Sequence, residues 1–173
     1  MKFNASMVQT RCPTPLGNLT LVASHSGLAG VWFDNQRHLP AALAAQLAGQ
    51  SAIWPEQSTH PILQEAVKQL MAYFAGQKSG FDLPLDLTAG SLFQQTVWLA
   101  LLAIPRGTTT SYGALSASIG RPSAVRAVGG AIGHNPLSIV VPCHRVIGRT
   151  GSLTGYAGGL DRKTALLQLE GAL

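Results

Sequence analysis

Hydrophobic and polar positions alternate from Asn18 to Ser24. Leu19, Leu21 and Ala23 fall on one side and Asn18, Thr20 and Ser24 on the other, the two-residue period of a half-buried strand. His25-Ser26-Gly27 supplies a turn and Leu28 to Phe33 returns, so residues 17–34 predict a β-hairpin. Leu39 to Ala48, rich in alanine and leucine, predicts a helix, and Ser51 to Thr59, broken by Pro55, a loop. From Pro61 the period becomes helical: Ile62, Ala66, Leu70 and Phe74 recur at four-residue steps beside Leu63, Val67 and Met71. Pro61 suits a first helical position and Gly76 a stop, which predicts a helix over Pro61 to Ala75. Phe81 to Leu87 reads as a short extended piece, and Lys78 to Gly90 as a linker.

Beyond the linker the pattern is mostly helical. Phe93, Val97, Leu101 and Ile104 predict a buried helix from Ser91 to Ile104, ended by Pro105. Ser111 can cap a short helix, Gly120 makes a turn, and Pro122 opens a second helix that runs to about Gly133. Helix, glycine turn and helix at this spacing form a helix-turn-helix pattern, with a plain helical hairpin as the alternative. The second helix carries Ala127, Gly129, Gly130 and Ala131, with Arg126 as its one long polar residue. A reader of base edges in the major groove needs long hydrogen-bonding side chains. Two adjacent glycines cost about 1 kcal/mol each relative to alanine, which calls for close approach of another surface. A narrow minor groove probed by Arg126 is one such surface, and the protein's own core is the other. Gly148 to Gly159 holds five glycines and reads as a mobile loop, and Asp161 to Leu169 is a last helix. Glu170 stands near its end, where the helix dipole disfavours an acid, so it calls for a specific partner.

Between the helices lies Ile139-Val140-Val141-Pro142-Cys143-His144-Arg145. The β-branched run predicts a short buried strand that Pro142 ends. A lone thiol then stands between two potentially cationic residues, and positive charge favours the nucleophilic thiolate. The competing view is a small buried cysteine with no chemistry. Cys12 and Cys143 make no disulfide framework, no spacing of Cys and His suggests a metal site, and Cys12 is given no role.

Composition narrows the classes. Hydrophobic residues make up 46% and charged residues 11%, so the chain can bury a core and is not a disordered segment. Its longest apolar run, Val97 to Ile104, is far below the ~20 residues of a spanning helix, and the N-terminus has no secretory pattern. A cytoplasmic protein with no membrane partner is expected. The fold class is α+β: a small α/β N-terminal domain, residues 1–86, and a mostly helical domain with the helix-turn-helix, residues 87–173. Basic and acidic residues balance in the first segment, so the whole net charge of +5 sits in the second. That asymmetry suits a polyanionic partner bound by the C-terminal half.

Pro142-Cys143-His144-Arg145-Val146, Arg126 to Ala131, Asn135-Pro136, Tyr156-Ala157-Gly158-Gly159 and Glu170-Gly171 together resemble the O(6)-alkylguanine-DNA alkyltransferases, in order over residues 88–173. Thr14 to Leu19 resembles the start of that family's N-terminal domain. The resemblance implies a repair protein that binds double-stranded DNA as a monomer, open to cooperative binding along it. It flips an alkylated guanine out of the stack and moves the alkyl group irreversibly onto Cys143, with oxygen-4 of thymine as a second target and no cofactor. His144 acts through a water, oriented by Glu170, since neighbours on an extended chain point apart. Asn135 pins the active-site turn. Tyr112 donates to the flipped base, and Arg126 fills the vacated space beside Ala127, Gly130 and Ala131. Backbone groups near the cysteine and in the glycine loop, at Cys143, Ile147 and Ala157, read the guanine edge, with Ser138 and Tyr156 also in the pocket. Members that accept benzyl groups carry proline where Ser138 stands, so a preference for small alkyl groups is expected. Ser24 and Ala29 occupy the positions of a structural zinc in some relatives and cannot be ligands, so no metal is expected. The alternatives are a non-enzymatic sensor of alkylated DNA, in which the cysteine is replaced, a helix-turn-helix regulator and a cysteine hydrolase.

Overall fold

Three antiparallel strands build the N-terminal half, in the order β1 (Val8–Cys12), β2 (Leu19–Ala23) and β3 (Leu28–Phe33). The structure, a computed structural model, describes residue 3 and residues 6–52, 54–77 and 80–173. The expected hairpin is β2–β3, with Leu19 opposite Phe33 and Leu21 opposite Val31. β2 is buried throughout rather than on one face. Leu19, Leu21 and Ala23 enter the main core, while Val22 joins Met7, Ala29, Trp32, Leu43 and Trp54 in a second cluster on the other side. Both faces of the strand are covered, and the polar Thr20 is carried inside with them.

Helix α1 (Ala41–Leu47) starts two residues later than the pattern suggests, with Pro40 at its cap. Helix α2 (Pro61–Phe74) begins at the predicted proline and lies across all three strands. Lys78, where the expected linker starts, lies outside the described residues. Farther on, that segment is strapped to the sheet: the Leu28 N–H donates to Pro84 O at 2.8 Å and the Asp86 N–H to Leu28 O at 2.9 Å.

In the C-terminal half, α3 (Leu92–Leu102) opens with a capping box between Ser91 and Gln94. A short strand β4 (Thr110–Ser111) leads into α4 (Tyr112–Ser118), and the Ser111 side chain caps it by accepting the Ala114 N–H. Helix α5 (Val125–Gly133) starts at Val125, not Pro122. Residue 121 precedes a proline and is pushed out of helical geometry, and the Ala124 N–H and the Ser116 hydroxyl both close on the Arg121 carbonyl to make a separate turn. Both helices pack on α3, and the Trp98 indole donates to Ala131 O at 2.8 Å.

The predicted strand Ile139–Val141 is absent. These residues are buried, as their composition demands, but form tight turns in which the Val141 N–H donates to Leu137 O at 2.8 Å and Ile139 has a φ of 73°. A run of three apolar residues encodes burial, and here local turns and a side-chain amide satisfy its backbone instead of a ladder. The preceding residues dock on β3: the Val31 N–H donates to Pro136 O at 2.8 Å and the Ser138 N–H to Val31 O at 3.0 Å. The N-terminal sheet thus holds the base of the cysteine turn. After a 3-10 turn, Cys143–Arg145, strand β5 (Val146–Ile147) pairs in parallel with β4, and α6 (Leu160–Glu170) closes the chain. No described helix is long and apolar enough to cross a membrane.

Candidate active site

Cys143 is 4% exposed and opens the 3-10 turn, at the edge of a cavity of about 120 Å³ shared with Arg37, His38, Tyr112, Tyr156 and Ala157. Asn135 organises the approach to it. Its Nδ2 donates to Val141 O at 2.8 Å and reaches Cys143 Sγ at 3.1 Å, while its Oδ1 accepts the Leu137 N–H at 3.0 Å. One buried amide therefore satisfies the backbone of the turn and touches the sulfur. Burial raises the thiol's pKa above its ordinary value, and the Asn135 contact and the Lys163 charge pull the other way. At neutral pH the resting group is a thiol. The expectation that its two neighbours would hold a thiolate fails, because Arg145 turns away from it and His144 is uncharged.

His144 is fully buried. Its Nε2 lies 3.0 Å from Glu170 Oε1, and its Nδ1 has no hydrogen-bond partner among the described residues. Burial lowers the imidazole's pKa further than Glu170 restores it. The ring is neutral, with its proton on the carboxylate side and a free lone pair on Nδ1. Cys143 and His144 share a 3-10 turn rather than an extended segment. Glu170 has the partners its position called for. Arg145 Nε donates to Oε2 and Nη2 to Oε1, both at 2.8 Å, and Tyr73 donates to Oε1 at 2.7 Å. These bonds and His144 hold the carboxyl well below its ordinary range against the opposing effect of burial.

The cavity opens between α5 and the glycine loop. On α5, Arg126, Ala127 and Gly130 are exposed. Ala131 is not on that face: it is 4% exposed and packs inward with Val128 and Ile132, at the three- and four-residue steps of a buried stripe. Among the described residues, a Cβ built on Gly130 meets nothing within 4 Å, and one on Gly129 meets only the Tyr112 ring at ordinary contact distance. Neither glycine is required by packing inside the protein, so the close approach their pairing suggests is to something outside it.

Residues 148–159 are tied down more than five glycines suggest. The Tyr112 hydroxyl donates to Thr154 O at 3.1 Å or Gly155 O at 3.2 Å. Lys163 Nζ donates to Val146 O at 2.5 Å and to Thr154 O at 2.7 Å. Tyr156 is buried and Ala157 lines the cavity. Ser138 and Ile147 do not line it. The Ser138 hydroxyl donates to Gln36 Oε1 at 3.0 Å, and Ile147 belongs to the β4–β5 pair.

Several site residues escape the sequence pattern. Lys163 is fully buried, and burial lowers its pKa to about 8. Its only sequence signal is a cation on the stripe with Leu166, Leu167 and Glu170, at helical spacing. Arg37 and His38 reach the cavity from the N-terminal half through tertiary packing, and the Arg37 N–H donates to Ala157 O at 2.8 Å. Tyr73 hides within the apolar face of α2.

Residues 92–172 match the family model of the 6-O-methylguanine DNA methyltransferase DNA binding domain, and residues 7–87 that of the ribonuclease-like domain of 6-O-methylguanine DNA methyltransferase. The methylated-DNA–protein-cysteine methyltransferase of Mycolicibacterium paratuberculosis is 49% identical over 157 residues, covering 91% of this chain and 88% of its own. That of Haemophilus influenzae is 37% identical over 166 residues, covering 95% and 87%. The crystal structure of Mycobacterium tuberculosis OGT in complex with DNA aligns with a TM-score of 0.79 at 45% identity, covering 96% of this chain and 93% of that one.

Proposed function

This chain belongs to the 6-O-methylguanine DNA methyltransferase family, and we propose that Cys143 is the acceptor to which it transfers a methyl group from oxygen-6 of guanine in DNA. Oxygen-4 of thymine is a second target. DNA is its partner; we further propose that it binds as a monomer, favours alkylated duplex and acts in the cytoplasm, with no cofactor or resident metal. The division into residues 1–86 and 87–173 belongs to the same proposal.

One observation carries the reading: a buried thiol at a cavity's edge, followed by a neutral imidazole whose far nitrogen is anchored on a buried carboxylate. The target oxygen lies inside the base stack, so the nucleotide must be extruded into a pocket. The exposed Arg126, Ala127 and Gly130 of α5 face the minor groove, where Arg126 takes the place of the extruded base. The thiol proton passes to His144 Nδ1 through a bridging water, and Glu170 stabilises the imidazolium that forms. Sγ then bonds to the alkyl carbon as the bond from that carbon to oxygen-6 breaks. The guanine leaves with the electron pair and takes the proton of Tyr112, whose hydroxyl otherwise rests on the loop carbonyls, and the tyrosinate regains a proton through solvent as the imidazolium releases the one taken from the thiol. Cleaving the thioether would require another nucleophile, so each molecule acts once.

The test is a duplex with one labelled methylguanine. Label should move to protein up to one methyl per chain and then stop. Continued turnover would reject the suicidal reaction, and lesion binding without transfer would favour the sensor. A preference for small alkyl groups belongs to the same proposal. Benzylguanine should react far more slowly than methylguanine presented as free base, and equal rates would reject that preference.

A further inference from the structure

One donor to the Glu170 carboxylate comes from the N-terminal half. We propose that Tyr73, on α2, is a positioning residue for alkyl transfer: its hydroxyl shares Glu170 Oε1 with His144 and so sets how strongly the carboxylate holds the imidazole proton. The inference rests on His144 acting as the base.

Glu170 Oε1 receives three donors: Tyr73 Oη at 2.7 Å, Arg145 Nη2 at 2.8 Å and His144 Nε2 at 3.0 Å. Oε2 receives Arg145 Nε at 2.8 Å. A carboxylate oxygen has two lone pairs, so three donors on one oxygen compete for the same charge. The closest of them comes from a residue 97 positions away in the sequence. Tyr73 cannot swing aside. It is fully buried, its ring stands edge-on to Phe74 at 5.5 Å and against Phe81 at 5.4 Å, and the Arg106 guanidinium lies 5.7 Å from its ring centre. Arg106 in turn donates to Leu169 O at 2.8 Å, which ties this corner to the end of α6.

The titratable and charged groups that face His144 are Glu170 and Lys163 from α6, Cys143 and Arg145 from its own turn, and Tyr156 from the glycine loop. Among the described residues Tyr73 faces Glu170 from α2, and Arg106 faces Tyr73 from the turn after α3. Within this set, Tyr73 is the member supplied by the N-terminal half. Burial and Glu170 both keep its proton on the phenol, so it remains a donor across the working range.

Tyr73→Phe keeps the ring and removes one proton donor. The carboxylate's charge then falls more fully on His144, which binds its proton more tightly. Single-turnover methyl transfer, measured against pH, should show its acidic limb moved to higher pH by roughly half a unit, a threefold change in proton affinity. Affinity for lesion duplex should not change. Fluorotyrosine placed at position 73, a stronger donor with nearly the same shape, should move the limb the other way; it also serves if the phenylalanine variant does not fold. A uniform fall in rate with an unmoved limb, or no change in either protein, would overturn the inference and leave the reaction itself standing. Absence of an acidic limb in the unmodified protein would overturn the role of His144 and this inference with it.

Discussion

Asn135 and Cys143 stand eight residues apart in the chain, yet the amide nitrogen of one lies 3.1 Å from the sulfur of the other. The same amide holds Val141 O and the Leu137 N–H. Asn135→Ala therefore orphans buried backbone groups, each costing about 1–3 kcal/mol, and frees the turn that aims the sulfur. Denaturant unfolding should show a loss of several times RT, and transfer should slow at least a hundredfold. Normal transfer by a destabilised protein would show that the contact with sulfur has no part in the chemistry.

Gly130 separates stability from binding. Its Cβ direction is open, so alanine there has no clash inside the protein. Gly130→Ala should raise stability by up to about 1 kcal/mol, the helix-propensity difference, and weaken binding to duplex DNA, because the added methyl meets the groove. Melting and DNA titration of the same variant measure both. Arg126→Ala should slow transfer from duplex much more than transfer from the free modified base. Unchanged DNA binding by Gly130→Ala would remove α5 from the interface.

Lys163 holds Val146 and Thr154 by their carbonyl oxygens. Lys163→Met keeps most of the stem and removes the ammonium. Orphaned carbonyls should cost about 1–3 kcal/mol, and transfer should fall at least tenfold as the loop and the charge near the sulfur are lost together. Loss of stability with an unchanged rate would confine Lys163 to a structural role.

The pH profile follows from two lowered pKa values. Burial keeps His144 neutral below its ordinary 6.5, so the transfer rate should stay level down to about pH 6.5 and fall only below it. Stability moves with it. The unfolded chain takes up this proton near 6.5 and the folded chain resists it, so stability present above that value declines as pH falls. Glu170, held below its ordinary 4.5, adds a second loss under that pH. Rate and unfolding measured from pH 8 to 4 check both limbs. A rate already falling between pH 8 and 7 would mean a protonated imidazole at rest.

Much of this site is legible in the sequence because its chemistry is concentrated in a few local motifs. The cysteine motif, the Gly-Ala helix with its single arginine, and an acid at the wrong end of a helix each carry a physical anomaly that a side chain or partner must resolve. Glu170 shows this well, since the helix dipole predicts a partner and the structure supplies three. What stayed hidden depends on packing. Ile139 to Val141 reads as a strand because β-branched burial looks alike in a strand and in a buried turn. Ala131 and Gly130 are neighbours in sequence, yet the helical period puts one inside and the other outside. Ser138 turns to Gln36, and Tyr73 reaches Glu170, through contacts between the two halves that no local pattern encodes.

The most direct measurement is the intact mass of the protein after incubation with duplex carrying one methylguanine, followed by peptide mapping, with Cys143→Ala alongside. The account predicts a stoichiometric gain of one methyl, located on Cys143 and absent from the variant. An unchanged mass, or a methyl on Cys12 or any other residue, would contradict it.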